Sequence, residues 1–73
     1  MANLVDRKID PRKYGELYFI MWDQRNVLEI DEEYAYDLYK TRWKYVEEDK
    51  MDMNEKEFLI HLINTYGNGV FNA

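Results

Sequence analysis

The chain has 73 residues, of which 47% are hydrophobic and 16% aromatic, and it contains no cysteine. This content suffices for one small core and not for two domains, and it offers neither a disulfide nor a thiolate metal site as a staple. The net charge of -5 argues against generic binding to nucleic acid or to anionic membranes, since both require a basic face.

The first predicted helix covers about residues 11–28. Asp10 is a suitable N-cap, and Pro11 fits the first helical position, where its missing N–H is harmless. Apolar residues then follow the spacing of one helix face: Tyr14, Leu17, Tyr18, Met21 and Leu28. Gly15 lies inside this helix, where it costs about 1 kcal/mol relative to alanine or marks a close helix contact.

The second predicted helix covers about residues 32–48. It opens on three acidic residues, which are favourable near the positive end of a helix dipole. These are Asp31, Glu32 and Glu33. One apolar stripe contains Tyr34, Ala35, Leu38, Tyr45 and Val46.

The third predicted helix covers about residues 55–66. Asn54 and Glu57 have the spacing of a capping box, and Met53 and Phe58 have that of a hydrophobic staple. A buried stripe follows, and Gly67 can end the helix in the left-handed conformation. The stripe is Phe58, Leu59, Leu62, Ile63 and Tyr66.

These features predict an all-α fold, a small three-helix bundle with short loops. We expect a single helical domain over residues 1–73, with 1–9 and 68–73 as flexible or loosely packed tails. No segment approaches the roughly 20 apolar residues that span a bilayer, and the N-terminus lacks the apolar region of a signal peptide. The sequence therefore predicts a cytoplasmic protein without membrane contact.

The first two helices carry more aromatic residues than one buried stripe needs. Phe19 and Trp22 lie about 100° or more around the helix from the core stripe, and a second stripe in helix 2 contains Tyr36, Tyr39 and Trp43. Two interpretations stay open: these side chains complete the core of one subunit, or they form a surface covered by another protein. We expect all five at a seam between helices 1 and 2 that a second copy completes in a homodimer.

Residues that support catalysis or metal binding are scarce. The chain contains no serine and no cysteine, and His61, the single histidine, is predicted to face solvent. Neither a catalytic triad nor a zinc site can therefore be assembled. A calcium loop starting at Asp52 fails, because Glu57 stands where glycine is required and Ile63 where the last ligand is required. We expect no catalytic residue, no metal and no cofactor.

Charged residues suggest two alternative functions. The first is an acidic nucleic-acid mimic, whose carboxylates imitate phosphates and block a DNA- or RNA-binding protein. Its surface would be Glu29, Asp31, Glu32, Glu33, Asp37, Glu47, Glu48 and Asp49. The second is nucleic-acid contact through residues 39–45, where basic and aromatic residues alternate. Acidic blocks on both sides make direct nucleic-acid binding unfavourable.

The function that the sequence favours is protein binding without catalysis. We expect a small regulator, inhibitor or accessory protein, of a kind common in bacteria and phages, that binds a partner protein through an aromatic-rich helical face. Phe19, Trp22, Tyr36, Tyr39 and Trp43 are the predicted interface.

Overall fold

The computed structural model describes residues 7–71 and is mostly helical. Its elements in chain order are β1 (Lys8–Ile9), a 3-10 turn (Pro11–Lys13), α1 (Gly15–Ile20), β2 (Ile30–Asp31), α2 (Glu32–Thr41), 3-10 turns at Trp43–Tyr45 and Glu48–Lys50, and α3 (Met53–Tyr66). The helical class and the three helices agree with the sequence prediction. The pairing of β1 with β2, antiparallel with Ile9 opposite Ile30, is an addition to the predicted all-α bundle.

The first helix is much shorter than the predicted 11–28. Asp10 acts as the expected cap, since its Oδ1 accepts a hydrogen bond of 2.9 Å from the Arg12 N–H, but it opens only a 3-10 turn. Tyr14 is extended, so α1 begins at Gly15. The helix ends at Ile20 because the Arg42 side chain donates to the Ile20 carbonyl, at 2.8 Å. Residues 21–29 follow as turns and irregular chain.

The second helix ends at Thr41, and the predicted extension to residue 48 is wrong. Arg42 is its C-cap, and the chain continues through two separate 3-10 turns with an extended residue, Val46, after the first. The Glu47 N–H donates to the Glu16 carboxylate in α1, at 2.9 Å. This tertiary hydrogen bond takes the place of a helical one, and the remaining residues therefore leave the axis of α2.

The third helix ends at Tyr66 as predicted but begins earlier. Asp52 is its N-cap, with Oδ1 accepting from the Glu55 N–H at 2.8 Å, so the predicted capping box of Asn54 and Glu57 is not formed. Met53 is exposed and makes no staple with Phe58, whose ring instead stacks on Tyr14 with centroids 4.2 Å apart. The left-handed residues after the helix are Asn68 and Gly69 rather than Gly67.

The core is formed by all three helices and β2. Its buried apolar residues are Leu17, Ile20, Met21, Ile30, Ala35, Tyr36, Leu38, Tyr39, Met51, Phe58, Leu59 and Leu62. Ile9 and Phe71 pack against this core from the two predicted tails. Residues 1–6 and 72–73 of those tails lie outside the described residues. Between residues 7 and 71, no helix combines the length and apolar character that crossing a bilayer requires.

A buried carboxylate joins the three helices. Glu55 in α3 is 1% exposed. Its Oε1 accepts from the Glu16 N–H at 3.0 Å, and its Oε2 accepts from the Leu17 N–H at 2.9 Å and from the Tyr39 hydroxyl at 2.7 Å. Glu55, which belongs to α3, thus caps the N-terminus of α1, because the first N–H groups of a helix have no acceptor within that helix. Burial and the Glu55 hydrogen bond raise the pKa of Tyr39 far above its ordinary range, so its hydroxyl remains a donor.

We expect Glu55→Ala to lower the free energy of unfolding by about 3 kcal/mol or more, because it leaves two buried N–H groups and a hydroxyl without an acceptor. Glu55→Gln should also destabilise, since its amide donors would face other donors. Glu57→Ala, at an exposed position of the same helix, is the control and should change stability by less than about 0.5 kcal/mol. Urea unfolding followed by circular dichroism measures all three, and equal stabilities would contradict this role of Glu55.

Substitution by alanine should have opposite effects on stability at two glycines. A Cβ at Gly67 would overlap the Tyr36 hydroxyl and lie 2.9 Å from the Val70 carbonyl oxygen, so Gly67→Ala should cost about 1–3 kcal/mol. Gly15 is the first residue of α1 and has nothing within 4 Å of such a Cβ, which removes the predicted close contact. Gly15→Ala should stabilise by about 0.4–1 kcal/mol. Thermal unfolding of both variants checks the contrast, and similar melting temperatures would refute it.

Candidate functional site

The five predicted interface aromatics are separated in the structure. Phe19 and Trp22 are 47% and 48% exposed, whereas Tyr36 and Tyr39 are buried. Trp43 is partly buried and packs edge-on against Phe71, with ring centroids 5.0 Å apart. Among residues 7–71, no close aromatic pair joins two of the five. Much of the second stripe of helix 2 is therefore core of the same chain, and the two exposed members of the predicted interface are Phe19 and Trp22.

Trp22 is the centre of an exposed cluster. The Tyr45 ring meets it edge-on, with centroids 5.2 Å apart, and the Arg42 Cζ lies 4.6 Å from the Trp22 ring centroid. The Lys44 Nζ lies 5.2 Å from the Tyr45 ring centroid. We call these four residues, Trp22, Arg42, Lys44 and Tyr45, the Trp22 patch. Edge-on aromatic pairs and cations over rings are favourable arrangements, so each side chain supports its neighbour.

Arg42 fixes the patch to the fold. Its Nη1 donates to the Ile20 carbonyl at 2.8 Å and to Asp23 Oδ1 at 2.9 Å, and its Nη2 donates to Asp23 Oδ2 at 3.2 Å. The guanidinium therefore both caps the C-terminal end of α1 and holds the turn that carries Trp22. As a result, the exposed Trp22 ring lies against a guanidinium that is itself hydrogen-bonded to α1 and to Asp23.

The charges around the patch reinforce this arrangement. The hydrogen bonds from Arg42 hold the pKa of the Asp23 carboxyl below its usual value, although modest desolvation opposes the shift. The same contact raises the pKa of Arg42. Both groups are thus charged at neutral pH. The patch therefore combines an apolar indole with an ion pair and the additional cation of Lys44.

Tyr45 and Arg42 are site residues that the sequence pattern does not identify. The helical spacing assigns Tyr45 to the core stripe of a long second helix. Because α2 stops at Thr41, Tyr45 instead lies in a 3-10 turn and is exposed. The only local signal for it is the alternation of basic and aromatic residues between 39 and 45, which the sequence analysis attributes to nucleic-acid contact.

Segment 39–45 does not present one continuous surface. The Tyr39 side chain is buried against Glu55, and Trp43 packs on Phe71. Lys40 lies over the Tyr36 ring, with its Nζ 5.6 Å from the centroid. Arg42, Lys44 and Tyr45 are the residues of this segment that lie together at the Trp22 patch. The basic and aromatic groups are therefore not aligned as the stacking platform that a single strand requires.

The predicted acidic surface is interrupted by internal contacts. Glu32 Oε1 lies 3.0 Å from His61 Nε2 and accepts a hydrogen bond from the Tyr66 hydroxyl, at 3.3 Å. Asp31 pairs with Lys8 at 3.5 Å, and Glu47 pairs with Lys50 at 3.2 Å. The remaining acidic residues are exposed and make no ion pair within residues 7–71: Glu29, Glu33, Asp37, Glu48 and Asp49. No group of three potential ligands in this part of the chain is placed to hold a metal ion.

A groove of about 530 Å³ lies along α2. It is lined by Asp31, Glu33, Tyr34, Tyr36, Asp37, Lys40 and Tyr66, and we call it the acidic groove. The Tyr34 hydroxyl donates to Gln24 Oε1 at 2.7 Å, and Gln24 follows Asp23 of the Arg42 ion pair. The groove therefore borders the Trp22 patch, and the two surfaces have opposite charge.

No protein-family model, curated protein or solved structure matches this chain. Over residues 7–71 the fold is small and mostly helical, with one short antiparallel strand pair. Any functional argument therefore depends on the chemistry of the Trp22 patch and the acidic groove.

The Arg42–Asp23 contact should titrate at acidic pH. Because the pKa of Asp23 is lowered in the folded protein, the contact is complete above the ordinary value of 3.8 and is lost as the pH falls below it. In a Trp43→Phe background, Trp22 is the only tryptophan, and its fluorescence should change over that acidic range. Adding Asp23→Asn should remove this transition. A transition that persists in Asp23→Asn, with unchanged far-UV circular dichroism, would assign it to another group.

Proposed function

We propose that this protein is a small non-enzymatic interaction module, a regulator, inhibitor or accessory subunit, that binds a partner protein through the Trp22 patch. We include Phe19, which is 47% exposed near the end of α1, as a further apolar residue of this surface. The proposal replaces Tyr36, Tyr39 and Trp43 of the predicted interface by Arg42, Lys44 and Tyr45, because the first three are wholly or partly covered within the chain. It includes a cytoplasmic location, with which a chain without cysteine is compatible.

The observation that carries the proposal is the way in which Trp22 is held. Tryptophan, tyrosine and arginine are the residue types that most often dominate binding energy at protein interfaces. Here Trp22 and Tyr45 are exposed, and the partly buried Arg42 beside them is anchored by Asp23 and by the Ile20 carbonyl. A side chain that is ordered before binding loses less conformational entropy on binding. The arrangement therefore favours recognition of a partner over a purely structural use of the indole.

The acidic mimic is the alternative, and its support is weaker. Glu33 and Asp37 are exposed on α2 without an ion pair within residues 7–71, but Asp31 and Glu47 form surface ion pairs with Lys8 and Lys50, and Glu32 contacts His61. A mimic would bind through its carboxylates, so its affinity would fall steeply with salt. Binding through the Trp22 patch would depend mainly on Trp22 and only modestly on salt.

Capture of the partner from host extract by tagged protein tests the proposal. Trp22→Ala should weaken partner binding by about 2 kcal/mol or more, the range of an interface hot spot. Ile60→Ala is the matched control, because Ile60 is apolar, 58% exposed and located on α3. It should leave binding unchanged. Affinity of the captured protein for each purified variant gives the measurement.

The paired variant Glu33→Lys with Asp37→Lys distinguishes the mimic. The mimic would be supported if wild-type chain captures a nucleic-acid-binding protein that Trp22→Ala also captures and this paired variant does not. Retention of the same partner by both Trp22→Ala and Ile60→Ala would remove the Trp22 patch as its binding surface.

A further inference from the structure

The Trp22 patch and the acidic groove are complementary in charge. In the patch, Arg42 is neutralised by Asp23, and Lys44 is a cation without an ion pair within residues 7–71. In the groove, Glu33 and Asp37 are carboxylates without an ion pair in the same part of the chain. The groove therefore has an excess of negative charge and the patch an excess of positive charge, within a chain whose net charge is -5.

The acidic groove is concave and contains aromatic side chains among its charged ones. The patch projects an indole and a phenol, and the groove is a concave space of about 530 Å³ with three tyrosine side chains in its wall. This volume is within the range of about 300–1,000 Å³ that is usual for sites that enclose a ligand group. Tyrosine is among the residue types enriched at protein interfaces.

The two surfaces are neighbours on the molecule. Tyr34 of the groove donates to Gln24, and Gln24 adjoins Asp23, the ion-pair partner of Arg42. A two-fold axis that passes near this border would bring the patch of each copy opposite the groove of the other. Such an interface is closed and self-complementary, so assembly stops at two copies.

We propose that a second copy of this chain occupies the acidic groove, in a two-fold dimer in which each Trp22 patch docks into the groove of the other copy. Lys44 then lies against Glu33 and Asp37 across the interface, and the exposed indole is covered. The inference rests on the proposed function in one respect, since it uses the Trp22 patch as a binding surface. Because dimer and partner would cover the same side chain, the dimer would hold the binding surface masked until a partner displaces the second copy.

Charge exchange between the two surfaces tests the dimer on the purified chain alone. At low salt and micromolar concentration, sedimentation of wild-type protein should report twice the 9.0 kDa chain mass. Lys44→Glu and Asp37→Lys should each raise the dimer dissociation constant by at least about tenfold, because each places like charges opposite one another. An equal mixture of the two variants should recover the wild-type mass, since one contact of the mixed dimer is the wild-type one and the other again joins opposite charges at positions 44 and 37.

Matched variants separate a local effect from a change in net charge. Lys56→Glu and Asp49→Lys make the same charge changes at exposed positions outside both surfaces, and their dimer dissociation constants should equal that of wild type. Far-UV circular dichroism of each variant verifies that the fold is retained. Trp22→Ala should also shift the protein to monomer.

Several results would overturn the proposed dimer. These are a wild-type monomer at every concentration, a dimer that tolerates both reversals, a mixture that stays monomeric, or assemblies larger than two copies. None of them removes the proposed function, because partner binding through Trp22 is measured separately with the Ile60→Ala control. The opposite outcome is also possible: the dimer is weakened by the charge reversals, but the partner binds Trp22→Ala as tightly as wild type. In that case the proposed dimer stands, and the Trp22 patch is not the surface that binds the partner.

Discussion

The Glu55 carboxylate is the constraint on which the arrangement of the three helices depends. Helix α1 has only six residues, far below the length at which an isolated helix is stable in water. Its first N–H groups have no helical acceptor, and Glu55 of α3 supplies one for both Glu16 and Leu17. The Tyr39 hydroxyl, from α2, donates a hydrogen bond to the same carboxylate. A buried carboxylate is tolerated here because each of its oxygens accepts at least one hydrogen bond.

The opposite end of α1 is held by a side chain as well. Arg42 satisfies the Ile20 carbonyl and binds Asp23, so α1 is held by α3 at its start and by the end of α2 at its finish. Trp22 lies in the chain between Ile20 and Asp23, the two residues that Arg42 binds. The exposed indole is therefore a consequence of how the short helix is stabilised, and the same contacts that complete the fold also order the proposed binding surface.

The net charge does not show how acidic and basic residues are distributed over the surface of the protein. Acidic residues outnumber basic ones by five. However, Glu32, Glu47 and Asp31 are committed to contacts within the molecule, whereas Lys44 stands beside exposed aromatics. This distribution favours specific recognition through an aromatic centre with a charged rim, since rim charges steer association more than they add affinity.

The sequence by itself determined the helical class, the cap at Asp10 and the end of α3, because capping and periodicity act between residues a few positions apart. Of the residues in the predicted interface, Phe19 and Trp22 are exposed, whereas Tyr36 and Tyr39 are buried. Only the tertiary structure decided where α1 and α2 stop, that Glu55 is buried, and that Arg42 and Tyr45 accompany Trp22. The reason is physical: the Glu55 contact with the Glu16 N–H joins residues 39 positions apart, and no local pattern distinguishes Glu55 from Glu57.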